Sequence, residues 1–209
     1  MLLMMLMYSS CAALAPESIA GEKERGTIAA LLITPVPRSQ IILGKVGALS
    51  VMALLGGISS FLGTFLSVPT LMQNMGEEAG AISTAVYGTS EYFWLILLIL
   101  TTVLLFITLI SIISTLSKSV KEAGTMVVPL MLVVMIMSFT SMYQSEPKTE
   151  LKWFFIPLFN TIQGMTEIFS FNIIPSNLIV TACMNIVYSA VGIVILTKLF
   201  DNEKVMFNA

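Results

Sequence analysis

Ionisable side chains are scarce in this chain and bunched where they occur. Glu17, Glu22, Lys23, Glu24 and Arg25 put five charges within nine residues. Alternating carboxylates and cations at this density can grip a polar surface. Catalytic chemistry has little to work with. The sequence holds no histidine, which removes Ser-His and Cys-His nucleophilic pairs, the usual general base and the commonest metal ligand. Cys11 and Cys183 lie in apolar segments and read as small hydrophobes, not as a disulfide or a metal pair. The 15 methionines are spread mostly through apolar runs, which fits packing or lipid contact better than copper binding.

The elements that must position the charged run are hydrophobic. The chain is 209 residues long, 56% hydrophobic and 11% charged, against about 25% charged in soluble domains. Its solvent is therefore lipid. A net charge of −2 offers no basic face for nucleic acid. Runs of about 20 apolar residues can cross a bilayer as helices. Five such segments predict an all-α polytopic bundle forming one transmembrane domain over 1–209: 1–15, 41–72, 92–116, 123–142 and 177–199. Lys23, Arg25, Arg38, Lys45, Lys118, Lys121, Lys198 and Lys204 fall on one side, and only Lys148 and Lys152 on the other. By the positive-inside bias, the 17–40 connection, the Lys118 loop and the C-terminus are cytoplasmic, and the N-terminus is outside. A cleaved signal peptide is the rival for the first segment. No basic stretch precedes it, and Pro16 disfavours cleavage after Ala15.

Within the connection, Gly26-Thr27 breaks the charged run, and Thr27 is placed to cap a short helix over Ile28–Ile33. Pro35 and Pro37 stop it. Two readings stay open on these residues: a helix lying in the headgroups, or a knob that docks on a cytoplasmic partner. Gly44-Lys45 lacks the glycine five residues earlier that a phosphate-cradling loop requires.

The stretch Glu17–Lys45, ESIAGEKERGTIAALLITPVPRSQIILGK, resembles the loop after the second span of type-2 ABC exporter permeases. The matching residues are Glu22-Lys23-Glu24-Arg25-Gly26-Thr27, Thr34-Pro35-Val36 with Arg38, and Gly44-Lys45. Ile156-Pro157-Leu158-Phe159-Asn160 resembles the segment before that family's last span. Leu199–Phe207 is similar to the C-terminal ending of its NatB-like, sodium-exporting members. The resemblance implies a coupling helix that sits in a groove of a separate ATPase subunit. Glu24, Arg25, Gly26, Thr27, Ile28, Leu31 and Leu32 would carry the contact. It also implies no cofactor in this chain, ATP and Mg in the partner ATPase, export of a substrate such as sodium, and a second permease in the assembly. Members of the family have a further first span and an outside domain. This chain starts where their second span would, so a partner chain supplying the missing span, or a non-transporting fragment that docks or regulates the ATPase, are further expectations.

Polar residues recur inside the spans. Asn177, Thr181, Asn185 and Ser189 repeat every four residues, and Thr101, Thr108 and Thr115 every seven. Such stripes face other helices or a cavity, and interhelical packing is the commoner cause. Residues 153–171 are apolar but broken by Pro157, Asn160 and Glu167, which predicts a re-entrant or interfacial element on the outer side. Glu167 is expected to be an interface carboxylate in water, with an exported cation as its alternative role. No span carries an acid or a base at depth, which argues against a proton-relay antiporter. Glu77-Glu78 could suit a glutamate intramembrane protease, but such enzymes need histidines too.

Overall fold

The computed structural model describes residues 2–27, 35–74, 89–143, 150–170 and 172–202. The expected docking helix, including Ile28, Leu31 and Leu32, and the pair Glu77-Glu78 lie outside them. Among the described residues the chain is helical, with no strand. The helices are α1 (Leu2–Glu24), α2 (Arg38–Asn74), α3 (Thr89–Leu116), α4 (Val120–Met142), α5 (Phe159–Phe169) and α6 (Pro175–Asp201), with a 3-10 turn at Leu151–Phe155 before α5. Five of them, all but α5, contain stretches of 22 to 27 residues long and apolar enough to cross a bilayer.

The first span does not end at Ala15. α1 runs through Pro16 to Glu24. A mid-helix proline loses one backbone bond and crowds the preceding turn, at a cost of about 3 kcal/mol. Packing offsets that here, because Ile19, Ala20, Gly21 and Lys23 continue the buried face beyond the proline. At about 1.5 Å per residue the helix spans roughly 35 Å, enough for the hydrocarbon core. The same extension carries a buried cation, Lys23, to the end of a span, where none was expected.

α3 is the central post. It packs against α1, α2, α4, α5 and α6, and Leu98, Val103, Phe106, Ile107 and Ile110 on it are fully buried. Phe106 meets Tyr8 of α1 edge to face, centroids 5.5 Å apart, and the Tyr8 hydroxyl donates to the Val127 carbonyl of α4 at 2.6 Å. The outward faces stay apolar: Val51, Met52, Leu55 and Ile58 on α2, and Ile179, Ile186, Val191 and Val194 on α6, are all exposed. Such continuous patches would be a liability in water and are expected where lipid is the solvent.

The broken segment before α6 folds into the bundle. α5 packs against α3, α4, α6 and the 3-10 turn, and nine of its eleven residues are buried. Leu158, just before it, has φ 70° and ψ −46°, close to the rarer, strained form of γ-turn.

Candidate functional site

The charged run is used to tie helix ends together. Lys23, 6% exposed, donates from its Nζ to the carbonyls of Thr115 at 3.2 Å and Ser117 at 3.1 Å. These are orphan acceptors at the C-terminal end of α3, where the helix dipole favours a cation. The next residue works on the opposite pole. The Glu24 carboxylate accepts from the Val120 N–H at 2.9 Å, an orphan donor at the start of α4. Ser119 and Glu122 complete that cap. The Glu122 N–H donates to the Ser119 hydroxyl at 3.2 Å, and the Glu122 carboxylate accepts from the Lys118 N–H at 2.7 Å. Two adjacent residues of α1 thus hold both sides of the Ser117–Ser119 turn.

The staples reach the remaining spans. Glu22 pairs with Lys45 of α2 at 2.5 Å, and Lys45 also donates to the Ser18 carbonyl at 3.1 Å. Arg38, at the start of α2, donates to the Phe200 carbonyl at 3.2 Å and lies 3.5 Å from Asp201, both in the last turn of α6. The basic ends of all five spans are therefore linked by side chains of the Glu17–Lys45 stretch.

Among residues expected to meet an ATPase, Glu24 is committed to this internal cap. Arg25 is largely exposed and pairs with Glu17 at 3.2 Å. Gly26 lies just past the end of α1, and Thr27 after it is itself helical. Gly26 has φ +72°, the left-handed conformation common just past a helix end. The Thr27 hydroxyl donates back to the Glu22 carbonyl at 3.1 Å. The roles of Lys23, Arg38 and Lys45 were missed. Their basic character beside a span end was the available signal, but only the fold shows which carbonyls they reach.

A second polar cluster lies where α5 meets α3 and α6. Asn185 is its hub: it accepts from the Asn160 amide at 2.9 Å and donates to Thr161 at 3.0 Å and Thr102 at 3.3 Å, with Thr101 at 3.5 Å. The Thr102 hydroxyl donates to Thr161 at 3.1 Å, and Gln163 donates to Ser141 of α4 at 3.4 Å. Thr102, Thr161 and Ser141 were not anticipated. The other stripe members bond within their own helices: Thr108 to Leu104, Thr115 to Ser111, Thr181 to Asn177 and Ser189 to Asn185, all to carbonyls at 2.7 to 2.9 Å. The members of both stripes are buried, and the two helices that carry them pack against each other. A Cβ at Gly192 would sit 2.5 Å from the Thr108 methyl, so glycine sets the closeness of α3 and α6. Pro157 lies in the turn between the 3-10 segment and α5.

Glu167 corrects an expectation. It is not in water but fully buried, because α5 is tucked inside the bundle and not laid along its surface. Its Oε1 accepts from the Asn177 amide at 2.8 Å, and its Oε2 has no hydrogen-bond partner among the described residues. Burial pushes the carboxyl up from the ordinary carboxylate range, against the hydrogen bonds from Asn177 and the Ile174 backbone that hold it back. No cluster of three or more metal-ligating side chains occurs among the described residues.

The fold and these two sites define a multi-pass helical membrane protein, bound together at one end by a charged interhelical connection. Residues 1–199 match the family described as ABC-2 family transporter protein, and the chain belongs to that family, whose members include the membrane permease subunits of ABC transporters. It is similar to the ABC transporter permease protein NatB of Bacillus subtilis (strain 168), 29% identical over 162 residues, covering 77% of this chain and 41% of that protein. The chain thus spans less than half the length of this relative.

Proposed function

We propose that this chain is the membrane permease subunit of an ATP-driven exporter, with residues 25–37 docking on a separate ATPase subunit that binds ATP and Mg. The basic end is cytoplasmic in this reading, as the Lys and Arg bias favours. One observation carries it: Lys23 and Glu24 grip the α3–α4 turn while Glu22 and Arg38 hold α2 and α6. A displacement of the connection at a docked ATPase would then move the ends of all five spans together. Two permeases with two ATPases form the working assembly, and sodium is the substrate that the NatB-like resemblance favours.

The test is co-expression with candidate ABC ATPase subunits from the same organism. Affinity purification of the permease should bring the ATPase with it, and reconstituted vesicles should move radioactive sodium when ATP is added. Deleting residues 28–32 should abolish both. The close packing of the two polar stripes favours a second reading, a permease chain that docks or regulates the ATPase without a path of its own. Co-purification with no ATP-dependent flux of sodium would support that alternative.

A further inference from the structure

Glu167 is a buried acid that the proposed coupling does not use. It lies on α5, outside the five spans, with no exposed surface. One oxygen takes the Asn177 amide at 2.8 Å, and the other has no partner among the described residues. A carboxylate so placed needs a counter-charge, or it keeps its proton. The ionisable groups on the elements packed against α5 are few. α3 offers Glu91 and Tyr92 at its first turns and no base. α4 offers Lys121 and Glu122 in its first turn, at the far end of the bundle, and Tyr143 follows it, exposed. The 3-10 turn offers Lys152, which is exposed and paired with Glu150. α6 offers Cys183 and Tyr188, the latter donating to the Phe155 carbonyl, with Lys198 and Asp201 in its last turns. None of these forms a hydrogen bond or ion pair with Glu167 among the described residues.

The seat of α5 has two further properties. It begins at the strained Leu158 backbone, a conformation that persists only while the surroundings enforce it. It also carries Asn160 and Thr161, which cover the Asn185 hub between α3 and α6. Unseating α5 would relax the first and open the second.

We propose that Glu167 is a proton-dependent latch, whose neutral carboxyl keeps α5 seated against α6 through Asn177 and whose ionisation releases it to uncover the Asn160–Asn185 cluster. The sign follows from linkage. In the seated state the carboxyl holds its proton above the pH at which a solvated glutamate, near pKa 4.3 in free peptides, would lose it. Seating is therefore at full strength in acid. It weakens as pH rises from about 4.3 toward the raised seated value, up to tenfold per pH unit. This holds whether or not an ATPase docks at the opposite end of the bundle.

Hydrogen exchange on the full chain in nanodiscs of neutral lipid tests it. Rates for peptides covering 159–169 are corrected for intrinsic amide chemistry and referenced to the core of α3. Corrected exchange in the wild type should rise as pH is raised from 4 to 8, by no more than about tenfold per pH unit. E167Q, which stays neutral, should exchange at the acid wild-type rate at every pH. N177A should exchange faster than wild type at acid pH, because one seat contact is gone, and should still speed up as pH rises. A flat wild-type profile, or the same slope in E167Q, overturns the latch. So does an N177A profile that matches wild type throughout. Should E167Q fail to fold, the wild-type slope and N177A decide. The same samples at fixed pH are titrated with sodium chloride against choline chloride. Protection that follows sodium but not pH would mean the carboxyl holds a cation, and the proton latch would be wrong.

Discussion

Replacing Lys23 by methionine isolates the staple between α1 and the α3–α4 turn. Methionine keeps most of the apolar stem and removes the ammonium. The Thr115 and Ser117 carbonyls, bonded at 3.2 and 3.1 Å, would lose a charged donor in a buried place. Hydrogen bonds to charged groups contribute about 1.5–3 kcal/mol each, and a cation at a partly buried helix C-terminus adds up to about 2 kcal/mol. Against this stands the recovered cost of desolvating an ammonium, several kcal/mol in a protein interior. The net expectation is a loss of about 2–4 kcal/mol, at the upper end of ordinary single substitutions. Equilibrium unfolding in mixed micelles measures it. K23A should lose more, because its stem packing goes as well. A change under about 0.5 kcal/mol in K23M, the range of unremarkable surface changes, would refute the reasoning. It would mean that water reaches those carbonyls once the ammonium is gone.

Two further substitutions test the other contacts. Gly192→Ala places a Cβ 2.5 Å from the Thr108 methyl and should destabilise by about 1–3 kcal/mol as an overpacked contact; adding Thr108→Ala should restore most of that, a coupling that a double-mutant cycle reads directly. Asn185→Leu leaves the buried Asn160 amide without its acceptor and should cost about 1–3 kcal/mol, accompanied by faster exchange in α5, whereas Ser189→Ala, whose hydroxyl bonds only within α6, should stay within about 0.5 kcal/mol.

The span count and the all-helical class were legible because length and apolarity report lipid directly. The first span shows where that signal stops. Pro16 and the charges after it read as an ending, but the buried face through Ile19, Ala20 and Lys23 carries the helix on. Local chemistry marks a proline as a break, and only tertiary packing decides whether the break is tolerated. Gly26 shows the same ambiguity. A glycine between charged and apolar runs punctuates a helix, but the sequence does not say whether it ends one or precedes another. The stripes on α3 and α6 were visible as periodicity, while the hydrogen bond to Asn185 from Asn160, on a short helix folded in between, was not. Glu167 was misplaced for a related reason. Its flanks look like an interface, and its burial depends on a turn at Leu158 that no residue type there signals.

The central claim is that the Glu17–Lys45 stretch has two jobs, an internal one in binding helix ends together and an external one in engaging an ATPase. Measuring ATPase co-purification and ATP-driven vesicle flux side by side for wild type, a deletion of residues 28–32, and K23M separates them. The account predicts that the deletion loses the ATPase, while K23M keeps it but loses most flux, because motion no longer passes to the α3–α4 turn. ATPase binding that survives the deletion would contradict the account.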